Sequence, residues 1–205
     1  MYFELVFEVD TYLEKVPAMK QNIYAIASQI PEESGLYRAM QETTRVLLEK
    51  NIPIQRPKLG WHITFIPPFE ATKDEACWLA AGLEVCHTFF SHVDAKGLMR
   101  GKSFGFFSGK KDALVIRMSS NKAIRDLVAR FRSQIPKQTN WVYPPESYIA
   151  NFHATIGEAE HLGQAVLSKG GESKLFGHIN IVHPALLESP LLYEKEESGW
   201  HPVRM

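Results

Sequence analysis

The chain has 205 residues, and its composition, 45% apolar and 22% charged, is that of a folded globular protein. Its 23 basic and 23 acidic residues cancel, so the chain lacks the broad positive field that holds extended duplex nucleic acid. No apolar run approaches the roughly 18 residues that cross a bilayer, and we expect no membrane partner. Residues 1–205 suffice for a single domain with a substantial core.

The amino terminus and the cysteines favour a cytoplasmic protein. The sequence MYFELVFEVD alternates apolar side chains with others, which predicts a strand, and it lacks the basic start of a signal peptide. Cys77 and Cys86 lie in one predicted helix, where about 13 Å separates them and a disulfide cannot form.

Helices are predicted where apolar side chains recur at helical spacing. The first covers about 31–50, and the second begins where Thr72 and Glu75 have the spacing of a capping box. A third follows Ser120 or Asn121, either of which can cap it. The apolar face of this third helix consists of Ile124, Leu127, Val128, Phe131 and Ile135.

Strands are predicted between these helices. WHITF at 61–65 and NFHATI at 151–156 each follow a helix and a proline-containing loop. The other predicted elements are a hairpin within 103–118, a short helix near 162–169, a strand at 176–183 and a hairpin from 191 to the end. Because short turns join several adjacent strands, the pattern favours an antiparallel α+β fold over a doubly wound parallel sheet.

Two of the predicted strands carry the same motif, His-x-Thr followed by an apolar residue. The first copy contains His62 and Thr64, and the second contains His153 and Thr155. Residues i and i+2 of a strand project from one face, so each strand presents an imidazole beside a hydroxyl. The intervening residue, Ile63 in the first copy, is expected to face the core.

Two such strands facing each other would form a clamp for a phosphodiester. A neutral histidine can take a proton from an attacking water, and a protonated one can give a proton to the departing oxygen. The threonine hydroxyls would stabilise the charge of the transition state. We assign water activation to His153 and leaving-group protonation to His62, and the near-symmetry of the motifs leaves the reverse assignment open. This chemistry requires no metal.

These residues resemble the 2H phosphoesterases, a family named for two H-x-[T/S]-Φ motifs. Within it, the chain is most similar to the 2'-5' RNA ligases, also called RNA 2',3'-cyclic phosphodiesterases, in both motifs and in element order over most of its length. The resemblance implies a bilobal α+β fold with two pseudo-symmetric antiparallel sheets, outer helices and a central cleft. It implies catalytic roles for His62 and His153 and phosphate binding by Thr64 and Thr155, without a cofactor.

The implied activity is hydrolysis of 2',3'-cyclic phosphates or 2'-5' phosphodiester bonds in nucleotides or RNA ends. We expect a monomer. Two alternatives stay open on the same fold: a ligase that joins RNA ends through 2'-5' bonds, and a nucleotide-binding module without activity. Gly157 and Glu158 follow HATI where the RNA-ligase branch commonly has a basic residue. A carboxylate there disfavours a long RNA substrate unless it points away from the phosphate, so a small cyclic nucleotide remains compatible.

Aromatic and basic residues near the motifs are candidates for binding the rest of a substrate. The candidates for stacking on a base are Phe104, Phe106, Trp141, Tyr143 and Tyr148. The candidates for phosphate contacts are Arg56, Lys58, Lys102, Lys110 and Lys111. Trp61 and Phe152, which immediately precede the histidines, would point to the opposite face of each strand, so alternation predicts packing for both.

Overall fold

The computed structural model describes residues 21–92, 99–135, 139–142, 152–184 and 187–203, with the side chains of 85–92 excepted. This part of the chain forms seven strands and five helices. The strands are β1 Asn22–Gln29, β2 His62–Ala71, β3 Met99–Phe107, β4 Asp112–Ser120, β5 His153–Ala159, β6 Leu191–Glu196 and β7 Gly199–Pro202. The helices are α1 Gly35–Glu49, α2 Lys73–His92, α3 Lys122–Gln134, α4 Leu162–Ser168 and α5 Gly171–Phe176.

All seven strands join one antiparallel sheet in the order β3-β4-β5-β2-β1-β6-β7. The predicted antiparallel α+β class is confirmed. The expected division into two separate sheets is not confirmed, because β2 and β5 connect the two groups of strands. Their register in the described residues consists of one pair, Ile63 with Ala154. The sheet is therefore continuous, but its central junction is narrow.

The hydrophobic core packs against one face of the sheet, the face from which Ile63 and Ala154 project. Ile63 and Ala154 are fully buried in a cluster that also contains Leu36 of α1 and Val128 of α3. Since neighbouring strand residues point to opposite faces, the residues on either side of Ile63 and Ala154 face away from this core. The junction thus leaves the two His-x-Thr motifs on the face opposite this core.

The predicted helix starts are confirmed at their caps. The Thr72 backbone N–H donates to the Glu75 carboxylate at 2.8 Å, and the Glu75 N–H donates to Thr72 Oγ1 at 3.3 Å, which is the reciprocal pattern of a capping box. At α3, Asn121 is the cap, with its side-chain oxygen accepting from the Ile124 N–H at 3.1 Å. In the described part of the chain, no helix has the length and apolarity needed to cross a membrane.

Two differences from the predicted elements have clear causes. The predicted strand at 176–183 is wrong: Leu175 and Phe176 end helix α5, and both are buried although adjacent, an arrangement that one helical turn permits. Strand β1 was not predicted, because Tyr24 to Ala27 form a continuous buried run without alternation. The strand predicted at 1–10 lies outside the described residues.

Candidate active site

The two His-x-Thr motifs lie side by side on one face of the sheet. Continuing the Ile63–Ala154 register by one residue in each direction sets His62 beside Thr155 and Thr64 beside His153. All four side chains are half-buried, and all four line one open cleft of about 550 Å³. Each histidine is therefore next to the threonine of the other motif.

The opposite faces of both strands are anchored in the core. Trp61 and Phe152, which precede the two histidines, are each 4% exposed, so their predicted packing role is confirmed. The Trp61 indole N–H also donates to the Ile156 carbonyl at 2.9 Å. This bond ties β2 to β5 beyond their single registered pair and fixes the spacing of the two motifs.

The surroundings of His62 orient its ring and lower its pKa. Its Nδ1 lies 2.8 Å from the Gly60 carbonyl, which can only accept, so Nδ1 carries the proton of the neutral ring. The lone pair of Nε2 is then free to accept a proton. Burial lowers the pKa of His62, the hydrogen bond to Gly60 opposes this, and nearby His153 lowers the pKa further.

The position of Gly60 explains how this carbonyl reaches the imidazole. Gly60 has φ +79°, in the left-handed region that residues with a Cβ rarely adopt. The turn lets the chain between α1 and β2 reverse immediately before the motif. The carbonyl of Gly60 is thereby directed back at the ring of His62.

His153 has a different neighbour, the aromatic ring of Phe107. The two ring centroids are 4.7 Å apart and the planes meet at 75°, an edge-to-face arrangement. Phe107 is 38% exposed, lines the cleft and also has the Arg117 guanidinium 5.9 Å from its ring. The sequence reasoning missed Phe107, although strand alternation puts it on the opposite face from Phe104 and Phe106.

The aromatic residues predicted for base stacking have other roles. Phe104 packs against Phe176 with centroids 4.9 Å apart, and Phe106 also packs against the core. Trp141 packs against Phe69 at 5.8 Å. The prediction is therefore wrong for these three, because they lie against the core instead of the cleft. Tyr143 and Tyr148 lie outside the described residues.

Basic side chains surround the cleft. Arg56, Lys58 and Lys111, three of the candidates for phosphate contacts, line it, and Arg56 lies over the Trp61 ring at 4.3 Å from its centroid. Lys195 joins them from β6, a contribution the sequence reasoning missed because β6 is distant in sequence. Two other candidates, Lys102 and Lys110, are exposed residues outside this lining.

The cleft also contains a carboxylate. Glu158 lines it together with the two motifs, so this residue lies on the same side of the sheet as the four motif side chains. In the part of the chain that the structure describes, the cleft included, no three His, Cys, Asp or Glu side chains are gathered in a way that would hold a metal ion.

Comparisons with known proteins give distant similarities. No protein-family model matches the chain, and no curated protein matches it. Among solved structures, it is similar to Usb1 of Kluyveromyces marxianus, at 14% identity and TM-score 0.44, over 89% of this chain and 98% of that one. The structure of that Usb1 with uridine monophosphate matches at the same identity and TM-score, over 89% and 99%. A protein described as a phosphoesterase matches at 12% identity and TM-score 0.45, over 90% and 97%. The reaction has to be inferred from the chain's own residues.

Proposed function

We propose that this protein is a phosphodiesterase that hydrolyses 2',3'-cyclic phosphate or 2'-5' phosphodiester bonds of nucleotides or RNA ends, without a metal. One observation carries the proposal. The Ile63–Ala154 pair aligns two His-x-Thr motifs, distant in sequence, on one face of the sheet and in one cleft. Two imidazoles and two hydroxyls directed at one space are the groups that acid-base cleavage of a phosphodiester needs.

In this proposal His62 is the base and His153 the acid. Nε2 of His62 takes a proton from water as the water oxygen attacks phosphorus. His153 gives a proton to the ribose oxygen as its bond to phosphorus breaks, which leaves a phosphomonoester. The lowered pKa of His62 and the fixed proton on its Nδ1 support this assignment over the reverse one favoured by the sequence.

The threonines contribute by holding the phosphate. Thr155 lies beside His62 and Thr64 beside His153, so each hydroxyl can donate to a non-bridging oxygen on its own side. Charge accumulates on these oxygens as the attacking oxygen bonds to phosphorus. A donor already in position stabilises that charge more in the transition state than in the ground state.

A nucleotide substrate fits the rest of the cleft. Phe107 is an exposed aromatic ring beside His153, on which a base can stack. Arg56, Lys58 and Lys111 supply positive charge near the other histidine. The 2H resemblance and the cleft thus support the same substrate class, a phosphodiester attached to a base.

The test is a substrate panel run with and without a chelator. The panel consists of 2',3'-cyclic nucleotides, 2'-5' dinucleotides and 3'-5' dinucleotides, with products identified as 2'- or 3'-phosphates. We expect turnover of the first two classes and 2'-phosphates from the cyclic substrates. Activity that disappears with chelator would contradict the metal-independent mechanism, and activity only on 3'-5' bonds would contradict the substrate class.

Two further assays, one supplying RNA ends and one measuring nucleotide binding, distinguish the alternatives. Accumulation of a joined product from RNA ends would identify a ligase. Tight binding of nucleotides without any turnover would identify a binding module. The expected monomer is checked by light scattering on the purified chain.

A further inference from the structure

Strand β5 has an irregular register immediately after its motif. Val115 of β4 pairs with Thr155, but Leu114 pairs with Gly157, so Ile156 is an extra residue on the β5 side. An extra residue of this kind is a β-bulge, and it changes which side chains face which side of the sheet.

The bulge brings Glu158 onto the face of the motif. Without it, alternation from Thr155 would direct residue 158 toward the core side, together with Ile156. With it, Glu158 pairs with Ala113, and both residues line the cleft. Glu158 is exposed there, so its carboxylate is accessible to a bound molecule.

The backbone at Glu158 is fixed by the chain between α1 and β2. The N–H of each of Gln55 and Glu158 donates to the carbonyl of the other, both at 2.9 Å. Gly157 permits this approach, because a Cβ there would lie 2.5 Å from the Ile54 side chain and 2.8 Å from the Gln55 carbonyl. The fold therefore fixes the backbone position of Glu158.

The carboxylate of Glu158 forms no direct ion pair with the described basic residues of the cleft. Arg56, Lys58 and Lys111 line the same cleft, and the Lys111 ammonium donates to the Gln55 side chain at 3.1 Å. Among the described residues, no ion pair or hydrogen bond engages the Glu158 carboxylate. In the described residues, this end of the cleft thus presents a carboxylate among several donors.

We propose that Glu158 is a specificity-determining residue that excludes a second phosphate from this end of the cleft and accepts a hydrogen bond from an uncharged nucleoside group. The inference rests on the proposed function only in taking a nucleotide as the ligand. A second phosphate near Glu158 would meet like charge, whereas a ribose hydroxyl or a base N–H would meet an acceptor. The selected substrate class is a nucleotide with a single phosphate group.

The test compares the binding of two probes, adenosine 2'-monophosphate and adenosine 2',5'-bisphosphate, by calorimetry. Glu158→Gln removes the charge and keeps the size of the side chain. We expect it to raise the affinity for the bisphosphate, relative to the monophosphate, by about tenfold at low salt. The gain should shrink well above 0.1 M salt, where screening acts within about 10 Å.

Glu160→Gln is the matched control. Glu160 is an exposed carboxylate two residues after Glu158, and it lies outside the cleft lining. Its affinity ratio should equal that of the wild type. An unchanged ratio in Glu158→Gln would overturn the inference, and so would an equal gain in both variants. Because the assay measures binding, it tests the role of Glu158 even in a protein without catalytic activity. Failure of the substrate panel is therefore distinguishable from failure of this inference.

Discussion

Strands β2 and β5 carry the same motif in different surroundings. His62 follows a tight turn, its Nδ1 proton is fixed by Gly60, and burial lowers its pKa. His153 instead has the exposed ring of Phe107 against it. The motif alone therefore gives two equivalent histidines, and the neighbouring residues make them different.

The comparison teaches where acid and base roles come from. Acid-base cleavage needs one neutral and one protonated imidazole at the same time. Two identical motifs do not determine which histidine is neutral and which is protonated. In the proposed mechanism, burial favours the neutral form of His62, and the Gly60 carbonyl fixes which of its nitrogens accepts a proton. The predictions below test the two motifs and their surroundings.

The largest expected effect comes from removing either imidazole. His62→Ala and His153→Ala should each lower kcat on a 2',3'-cyclic nucleotide by about 1,000-fold, because each removes one proton transfer. Steady-state kinetics measure this, and circular dichroism should show both variants folded, since both side chains lie on the cleft face. Full activity in either folded variant would contradict the paired site.

Removing the hydroxyls should have a smaller effect. Thr64→Val and Thr155→Val keep the shape of the side chain and should each lower kcat by about 100-fold, the typical loss of one donor to a charged transition state. The two losses should be similar, since each threonine lies beside the histidine of the other motif. A change in KM alone would indicate that the hydroxyls only bind substrate.

A change at Gly60 should impair the positioning of His62 without altering the imidazole itself. Gly60→Ala strains a backbone with φ +79° and displaces the carbonyl that holds His62, so we expect kcat to fall by about tenfold. Gly171→Ala is the matched control, with φ +81° and open space around an added Cβ. Both variants should lose about 1 kcal/mol of stability on thermal unfolding, and only the first should lose activity. Equal activity in the two would show that the carbonyl has no role.

The smallest effect is expected from changing Phe107, the ring that contacts His153. Phe107→Leu removes the edge-to-face contact with His153 and the surface for a base, which should raise KM by about fivefold. Substrates with a base should show this increase, and a cyclic ribose phosphate without a base should not. An identical increase for both substrates would place the base elsewhere.

Much of the site could be predicted from local sequence, because His62 and Thr64, like His153 and Thr155, are two residues apart on a strand. That the two strands are neighbours in one sheet could not be predicted, because the resemblance implied two separate sheets and the Ile63–Ala154 pair joins residues far apart in sequence. The face of the sheet that carries Glu158 could not be predicted from the sequence. It depends on a β-bulge, where Gly157 packs against residues 54–55.

The same limit applies to the roles of the histidines. The sequence assigned water activation to His153, whereas the proton position and lowered pKa of His62 favour the opposite assignment. Neither the orientation of the Gly60 carbonyl nor the burial of the ring leaves a signal in the motif itself. The basic residue Lys195 was missed for a related reason, as only the pairing of β6 with β1 brings it to the cleft.

The dependence of kcat/KM on pH tests the central claim most directly, in the wild type and in the residual activity of His62→Ala and His153→Ala. A base must be neutral, so the wild-type rate should fall only as pH drops below the histidine value of about 6.5, since the pKa of His62 is lowered. The rate should also fall at high pH as the acid loses its proton. We predict that His62→Ala removes the low-pH fall and His153→Ala the high-pH fall. A low-pH fall that persists in His62→Ala and disappears in His153→Ala would contradict the account.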